Sequence, residues 1–212
     1  MELINVTKKY SESVIFDNFS YKFEDHKITA ILGDSGVGKT TLINMILGLT
    51  TYSGDIKFHE KIACVFQNDR LIPSLTVKEN LLLVNPKIDI ENELKKFNLI
   101  DAMNYYPSML SAGMSRRVAI LRALNFDSNM LIMDEPLRNL DYALKFKIMD
   151  EIKKYHKNTK NTIIIVTHDI GEALELGDNI LILKNNSSNP IAIKNEKNLT
   201  EKDILKVLID KK

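Results

Sequence analysis

The chain has 212 residues, of which 44% are hydrophobic and 27% are charged, a composition typical of a soluble globular protein with a large buried core. Its net charge of +1 gives no electrostatic argument for a nucleic-acid partner or an acidic membrane surface. No apolar run approaches the ~20 residues that span a bilayer, and the N-terminus lacks the pattern of a signal peptide.

The first elements along the chain are predicted strands. Short apolar stretches at 3–6 and 20–23 favour two strands, and the apolar run 28–32 favours a third. Residues 42–47 are again apolar and belong to a predicted helix. A glycine-rich segment, 33–41, separates the third strand from that helix.

This segment carries the strongest chemical signal in the sequence. Its residues, in order, are Gly33, Asp34, Ser35, Gly36, Val37, Gly38, Lys39, Thr40 and Thr41. Four of them, Gly33, Gly38, Lys39 and Thr40, have the spacing of a phosphate-binding loop between a strand and a helix. Glycines let N–H groups turn inward around phosphate oxygens, Lys39 and the helix N-terminus add positive charge, and Thr40 offers a hydroxyl to magnesium. We therefore predict a nucleoside triphosphate site and not an ordinary glycine turn.

Residues 68–128 have a different, helical character. Thr76 and Glu79 form a capping-box pattern at the start of one helix, which Asn85–Pro86 is expected to end. The periodicity then predicts helical pieces at 90–97, 98–105 and 111–124.

Strands and helices alternate through the rest of the chain. Further strands are predicted at 55–58, 61–66, 130–133, 162–166, 179–183 and 190–194, and further helices over 144–155, from after 168 to about 176, and over 200–210. Apolar strands alternating with helices indicate an α/β fold with a parallel, doubly wound sheet, into which 68–128 is inserted.

Polar residues follow three of the buried strands, at the strand ends where open α/β sheets bind ligands. Asp134 and Glu135 can hold magnesium and activate a water molecule, and the alternative for this pair is a solvated acidic turn. His168 can bond a γ-phosphate or a water, or it is structural. Gln67 can reach the metal or the water, or it is a surface glutamine.

Ser111 and Cys64 each have a simpler interpretation. Ser111 is a good helix N-cap, and the same geometry presents N–H groups and a hydroxyl to an anion, from this chain or from a second one. Cys64 is the only cysteine and lies in an apolar run, so we expect a small buried hydrophobe and no disulfide within the chain.

In this order, the motifs resemble the ATP-binding subunit of an ABC transporter over nearly the full chain. Residues 33–41 resemble its Walker A loop, and 131–136 resemble its Walker B motif with the catalytic glutamate. The remaining family positions fall on Gln67 (Q-loop), Asp141 (D-loop), His168 (switch histidine), Tyr10 (the aromatic that stacks on adenine) and 110–114 with Arg117 and Arg122 (signature motif).

The resemblance implies a P-loop NTPase fold with a mainly parallel central sheet, a reduced antiparallel β lobe and an inserted helical subdomain. It implies one ATPase domain, 1–212, with the helical subdomain at about 68–128, and ATP and Mg²⁺ as ligands. The implied catalytic residues are Glu135, His168 and Gln67, and the implied metal-binding residues are Thr40, Gln67 and Asp134. The implied nucleotide-binding residues are Tyr10, Gly33–Thr41, Ser111, Gly113 and Asp141, with Ser111 and Gly113 contacting the ATP of a second subunit.

The resemblance also implies partners and a location. They are a second ATP-binding subunit bound head to tail, transmembrane permease subunits and a substrate-binding protein, without nucleic acid. The expected location is the cytoplasmic face of the membrane, through the permease.

Several positions depart from the family pattern. Ala112 replaces a glycine of the signature motif, Met114 replaces the commoner glutamine, and Arg116 stands where glutamine is usual. Residues 137–139, Leu-Arg-Asn, are bulkier and more charged than is customary before Leu140-Asp141. These departures bear on the hydrolysis rate and on dimer affinity more than on ATP binding.

Three functions remain open at this point. The first is the energising ATPase of an importer, since 65–81 resembles the nitrate, sulfonate and taurine group. The second is a non-transport ABC protein in a soluble or regulatory assembly. The third is a GTPase, for which the sequence has no Asn-Lys-x-Asp guanine motif.

Overall fold

The computed structural model describes residues 1–11, 13–58, 61–184, 190–195 and 199–209. The chain divides into two compact units, of which the first comprises Met1–Glu60 with Asn161–Lys212 and the second comprises Lys61–Lys160. Within the described residues, no helix has both the length and the apolar character needed to cross a membrane.

The regular elements alternate between strands and helices along most of the chain. The strands are β1 Glu2–Tyr10, β2 Ser13–Lys22, β3 Ile28–Leu32, β4 Ser53–Lys57, β5 Ile62–Val65, β6 Met130–Asp134, β7 Thr162–Val166, β8 Asn179–Ile182 and β9 Ile191–Lys194. The α-helices are α1 Lys39–Ile46, α2 Val77–Leu82, α3 Ile90–Lys96, α4 Ala112–Leu124, α5 Tyr142–Thr159, α6 Ile170–Leu176 and α7 Glu201–Ile209, and single 3₁₀ turns occupy Ile100–Ala102 and Pro107–Met109.

The first unit contains a three-stranded antiparallel sheet in the order β2-β1-β4. Its first two strands are longer than predicted, because they continue through polar residues that do not alternate with apolar ones. Asn5 and Asn18 have φ angles of 48° and 49°, and the pairing of β1 with β2 shifts register between Leu3 and Val6. Such irregularities interrupt the two-residue period on which a strand prediction depends.

The second sheet of this unit runs β7-β3-β8-β9, with the first three strands parallel and β9 antiparallel. Every residue of β3, β7 and β8 is buried, as expected for strands covered on both faces. Helices α6 and α7 cover part of the sheet through a cluster of Ala30, Leu32, Ala173, Ile180, Ile182 and Ile204. The predicted α/β fold with mostly parallel strands is confirmed.

The second unit pairs β5 with β6 in parallel, with Val65 opposite Met133. The capping box at Thr76 and Glu79 is present at the start of α2, as predicted. The unit also contains α3, α4 and α5, so it extends beyond the helical segment 68–128 on both sides.

One predicted helix end and one predicted helical piece were wrong, and the end of the final helix cannot be compared. Helix α2 ends at Leu82 and not at Asn85. Residues 98–105 form only the short 3₁₀ turn 100–102, because Asn98 adopts a left-handed φ of 52° that stops a helix. Asp210, the predicted end of the final helix, lies outside the described residues.

Gly54 and Gly48 give a matched test of the antiparallel sheet. Gly54 lies in β4 with φ 91°, and a Cβ there would come within 2.4 Å of the Asn5 carbonyl oxygen of β1. Gly48 has φ 67°, and a Cβ there would meet no neighbouring atom within 4 Å among the described residues, so only backbone strain opposes alanine. We expect Gly54→Ala to lower the free energy of unfolding by about 3 kcal/mol and Gly48→Ala by about 1 kcal/mol, measured by urea denaturation. Equal losses in the two variants would contradict the close approach of β4 to β1.

Candidate functional site

The glycine-rich loop joins β3 to α1, in the first unit. Gly38 is the N-cap of α1 with φ 107°, and a Cβ there would lie 2.6 Å from Ile15 Cγ2. Glycine at this position offers no side chain to cap the first turn of α1 by a hydrogen bond. The N–H groups of this turn therefore remain oriented toward the loop, which is the arrangement that binds phosphate at a helix N-terminus.

Lys39, the first residue of α1, lies beneath this loop. It is 8% exposed, and its Nζ donates to the carbonyl oxygens of Gly33 at 2.6 Å and Asp34 at 2.9 Å. Asp34, Ser35 and Gly36 are exposed at the crest of the loop. The ammonium charge is thus held close to the backbone that surrounds a phosphate in such loops.

The other loop residues take positions consistent with the prediction. Val37 is buried, and its N–H donates to the Asp34 carbonyl oxygen at 3.3 Å, which closes a turn. Thr40 is exposed and Thr41 is half-buried, both in the first turn of α1.

His168 follows β7, the strand that pairs with β3 in parallel. The Thr167 N–H donates to the Ile31 carbonyl oxygen at 3.1 Å, so His168 lies at the same sheet edge as the glycine-rich loop. The buried Thr167 hydroxyl donates to Glu172 Oε2 at 2.6 Å, and Asp169 caps α6 by accepting from the Glu172 N–H at 3.1 Å. These bonds fix the backbone on either side of the exposed His168.

Tyr10 ends β1 and is 46% exposed. Lys8 Nζ lies 4.4 Å from the centroid of its ring, a cation–π contact. Lys8 is buried, and its Nζ also donates to Thr50 Oγ1 at 2.8 Å and to the Thr51 carbonyl oxygen at 2.6 Å. Sequence reasoning missed this support of Tyr10, because two adjacent lysines in a polar stretch give no signal that one is buried.

In the second unit, Asp134 is the last residue of β6 and is 4% exposed. Glu135 follows with φ 47°, a left-handed angle that is uncommon outside glycine and costs about 1 kcal/mol. Because β5 runs parallel to β6, Gln67 emerges at the same edge as Asp134, and it is exposed. The structure therefore places the three predicted residues of this unit, Gln67, Asp134 and Glu135, at one edge of the β5–β6 pair.

Glu135 has a charged neighbour in Arg138. Arg138 Nη1 lies 3.5 Å from Glu135 Oε2, and the Arg138 N–H donates to the Glu135 carbonyl oxygen at 3.2 Å. The sequence marked Arg138 as a departure from the family pattern but gave no partner for it. The half-exposed arginine makes this a solvent-screened ion pair, so we expect little contribution to stability.

Ser111 and Asp141, the residues predicted for the signature motif and the D-loop, act as helix caps. Ser111 Oγ accepts from the Met114 N–H at 3.2 Å at the start of α4, as predicted, and Asp141 Oδ1 accepts from the Leu144 N–H at 3.0 Å at the start of α5. Both residues and Ala112 are exposed.

Gly113 lies against a neighbouring loop. A Cβ there would be 3.3 Å from the Asn139 carbonyl oxygen, so the space for a side chain is tight. Arg117 bonds the main chain at Gly113, since its Nε donates to the Gly113 carbonyl oxygen at 3.2 Å. Its Nη1 also donates to the Phe97 carbonyl oxygen at 2.7 Å. Burial lowers the pKa of Arg117, partly offset by the charge of Asp141.

The residues predicted to bind magnesium carry oxygen donors. In the parts of the chain that the structure describes, no cluster of three or more His, Cys, Asp or Glu side chains is placed to hold a metal ion by itself. The predicted magnesium ligands, Thr40, Gln67 and Asp134, supply a hydroxyl, an amide and a carboxylate oxygen, which are the donors that Mg²⁺ prefers.

A family model described as ABC transporter matches residues 16–138. Among curated relatives, an uncharacterized ABC transporter ATP-binding protein of Sinorhizobium fredii is 36% identical over 200 residues, which cover 84% of this chain and 54% of that protein. The Fe(3+) ions import ATP-binding protein FbpC of Fusobacterium nucleatum is 34% identical, with 87% and 55% covered. The maltose/maltodextrin import ATP-binding protein MalK of Escherichia coli is 36% identical, with 86% and 55% covered. The chain spans about half the length of these relatives.

Solved structures of an ABC transporter cassette have the same fold as this chain. A bacterial ABC transporter cassette solved as a dimer has a TM-score of 0.81 and 29% identity, covering 92% of this chain and 98% of its own. A dimeric post-hydrolysis state of that cassette, bound to ADP and Pi, has a TM-score of 0.80 and 30% identity, with the same coverage.

Cys64 reports on the surroundings of Asp134. Burial, followed by the negative charge of Asp134, raises the pKa of the Cys64 thiol to about 12. At pH 8 the folded protein should therefore hold roughly a thousandfold less thiolate than an ordinary cysteine, and its alkylation rate should rise with pH up to 10 without a plateau. Iodoacetamide labelling followed by mass spectrometry measures this rate.

Two controls accompany the Cys64 measurement. The urea-unfolded chain should show a plateau above about pH 9, as a free thiol does. Asp134→Asn should lower the pKa only in part, because burial is the larger cause. A plateau near pH 9 in the folded protein would contradict the raised pKa of this half-buried thiol.

Proposed function

We propose that this chain, which belongs to the ABC transporter family, binds and hydrolyses ATP and so energises transport through a membrane permease. The observation that carries the proposal is the loop between β3 and α1, where the buried Lys39 ammonium lies beneath backbone that leads into an uncapped helix N-terminus. This combination attracts the phosphates of a nucleoside triphosphate through both full and partial charges. The chain forms one ATPase domain, 1–212, in which 68–128 is the helical subdomain.

The loop and Tyr10 bind the two ends of the nucleotide. The N–H groups of residues 33–41 and the Lys39 ammonium bind phosphate oxygens, for which Lys39 exchanges its bonds to the Gly33 and Asp34 carbonyls. The exposed ring of Tyr10 stacks on the adenine, and the contact with Lys8 holds that ring in place. Stacking on an aromatic ring does not distinguish adenine from guanine, so the choice of ATP over GTP rests on the family assignment.

Glu135, Gln67 and His168 carry the hydrolytic step. Glu135 orients the attacking water and accepts its proton, His168 donates a hydrogen bond toward the γ-phosphate, and Gln67 contacts the water and the metal. The buried strands position Glu135 and His168 at their carboxyl ends, where rigid scaffold meets solvent. Catalysis by these groups is mainly positioning and charge stabilisation.

Thr40, Gln67 and Asp134 are the residues that would hold Mg²⁺, together with the nucleotide phosphates. Magnesium sites usually combine a few protein oxygen ligands with phosphate oxygens and water, and a bound cation would stabilise the buried Asp134 carboxylate. When bound, Mg²⁺ neutralises the charge that develops on the phosphates.

A second copy of the chain completes the site. Ser111, Gly113 and Asp141 act on the nucleotide of that copy, since Ser111 begins α4 with an exposed hydroxyl and Asp141 begins α5. The cassette dimers that resemble this chain support the arrangement. The methyl group of Ala112 is exposed and causes no strain in its own chain. It reduces the space that is left for the nucleotide of the second copy at this position.

The transport role is proposed from the relatives, two of which are import subunits for Fe(3+) ions and for maltose or maltodextrin. The chain is then an importer subunit on the cytoplasmic face of the membrane, bound to permease subunits and served by a substrate-binding protein. Within importers, the likeness of 65–81 favours the nitrate, sulfonate and taurine group. Affinity capture from the native membrane tests this role, and recovery of soluble partners alone would contradict it.

Glu135→Gln tests the catalytic assignment. The substitution removes the carboxylate that accepts the proton, so we expect ATP hydrolysis to fall by roughly a hundredfold or more with ATP affinity retained. The variant should also accumulate as an ATP-bound dimer, detected by analytical ultracentrifugation. Phosphate release and calorimetry measure hydrolysis and affinity.

Arg138→Gln is the matched control, because it removes the same ion pair and leaves the carboxylate in place. Its hydrolysis rate should stay within about tenfold of the unmodified protein. Hydrolysis by Glu135→Gln at a similar rate to Arg138→Gln would remove Glu135 from the catalytic role.

A further inference from the structure

The loop that contains Gln67 is held by side chains to an unusual extent. We define the anchored loop as residues 66–76, between β5 and α2. Three side chains, Arg116, Arg122 and Asn80, donate to main-chain carbonyl oxygens along this loop. The acceptors are Phe66 and Gln67 for Arg116, Asp69 and Arg70 for Arg122, and Ile72, Leu75 and Thr76 for Asn80.

Arg116 makes the shortest of these bonds. Its Nη1 donates to the Phe66 carbonyl oxygen and its Nη2 to the Gln67 carbonyl oxygen, both at 2.6 Å. Its side chain is 5% exposed, and Nη1 lies 3.1 Å from Asp69 Oδ1. That contact is an ion pair only, because Oδ1 accepts no hydrogen bond within the described residues. A planar guanidinium can bind two adjacent acceptors at once, which a single ammonium or amide group cannot do with the same geometry.

We propose that Arg116 is a positioning residue for Gln67, which fixes the backbone of Gln67 to α4 and so sets where its exposed amide points. The proposal rests on the proposed function, because only that function gives Gln67 a role in hydrolysis. The two hydrogen bonds of Arg116 are present whether or not the chain hydrolyses ATP. In this role Arg116 acts through Gln67 and not on the nucleotide or the metal directly.

Because Arg116 lies on α4, its hydrogen bonds connect this helix to the main chain at Gln67. Helix α4 begins at the Ser111 cap and carries Gly113 in its first turn, and Arg116 follows in the next. A displacement of this helix is therefore transmitted to the main chain at Gln67 through two short bonds. Arg116 is also a departure from the family pattern, since the usual glutamine has one amide group for hydrogen-bond donation and no charge.

Arg122 provides a matched control within the same loop. Its Nη2 donates to the Arg70 carbonyl oxygen at 2.9 Å, and its Nη1 donates to Asn80 Oδ1 at 3.2 Å. Its bonds to the described residues all lie downstream of Gln67, so Arg122→Gln loosens that part of the anchored loop. An effect that requires Gln67 should appear for Arg116 and not for Arg122.

The first experiment measures amide hydrogen exchange of the nucleotide-free full chain by mass spectrometry. Arg116→Gln should raise exchange in peptides covering 66–69 by about tenfold, and Arg122→Gln should raise it mainly in 70–76. Arg116→Lys keeps the positive charge opposite Asp69 but removes the guanidinium that bonds two carbonyl oxygens at once. It therefore separates the effect of these two hydrogen bonds from the effect of the ion pair. Exchange at 66–69 unchanged in both Arg116 variants would overturn the proposal.

The second experiment measures hydrolysis with the same variants. Arg116→Gln should lower kcat by about tenfold with KM for ATP within about threefold, because the glycine-rich loop is untouched. In a Gln67→Ala background the same substitution should have no further effect on kcat, whereas an independent structural role would give additive losses. Additive losses, or an equal loss of kcat in Arg122→Gln, would also overturn the proposal.

The two experiments separate failure of the proposal from failure of the proposed function. If the unmodified chain with Mg²⁺ does not hydrolyse ATP, the proposed function fails, and the exchange measurement still decides whether Arg116 fixes the backbone at Gln67. If hydrolysis is normal and exchange at 66–69 does not respond to Arg116, the positioning role alone fails.

Discussion

The site depends on the burial of one ammonium group beneath a glycine-rich turn. Lys39 Nζ donates hydrogen bonds to the carbonyl oxygens of Gly33 and Asp34. These bonds keep a positive charge inside the loop that connects β3 to α1. Only glycine suits position 38, because φ is 107° there and an added Cβ would collide with the Ile15 side chain. Charge, turn and helix N-terminus are then arranged for a phosphate before any nucleotide arrives, which lowers the ordering cost of binding.

Cations that bind main-chain carbonyls recur around the predicted chemistry in both units. Lys8 bonds the Thr51 carbonyl and supports Tyr10, Arg117 bonds the Gly113 carbonyl, and Arg116 bonds the Gln67 carbonyl. Thr51 and Gln67 lie in loops outside the strands and helices, and Gly113 lies in the first turn of α4. A carbonyl paired with a charged donor is bound more strongly than one paired with a neutral donor, so these loops are held in place while their functional side chains stay exposed.

Local chemistry made much of the fold and the site predictable. The apolar runs of β3 and β7, the caps at Thr76 and Ser111 and the glycine-rich loop all depend on neighbours within a few residues in sequence. The parts that were missed depend on long-range contacts. The length of β1 is set by irregular pairing with β2, and the partners of Arg116 lie about fifty residues away, so no period or motif reports them.

Calorimetric titration of Lys39→Ala with ATP and Mg²⁺ measures how much the buried ammonium group contributes to nucleotide binding. The matched control is Lys27→Ala, which removes the same charge before β3, where Lys27 makes a half-exposed ion pair with Asp178. We expect Lys39→Ala to weaken ATP binding by about tenfold or more and Lys27→Ala to change it by less than about twofold. An unchanged ATP affinity in a folded Lys39→Ala variant would show that the Lys39 ammonium does not bind the phosphates.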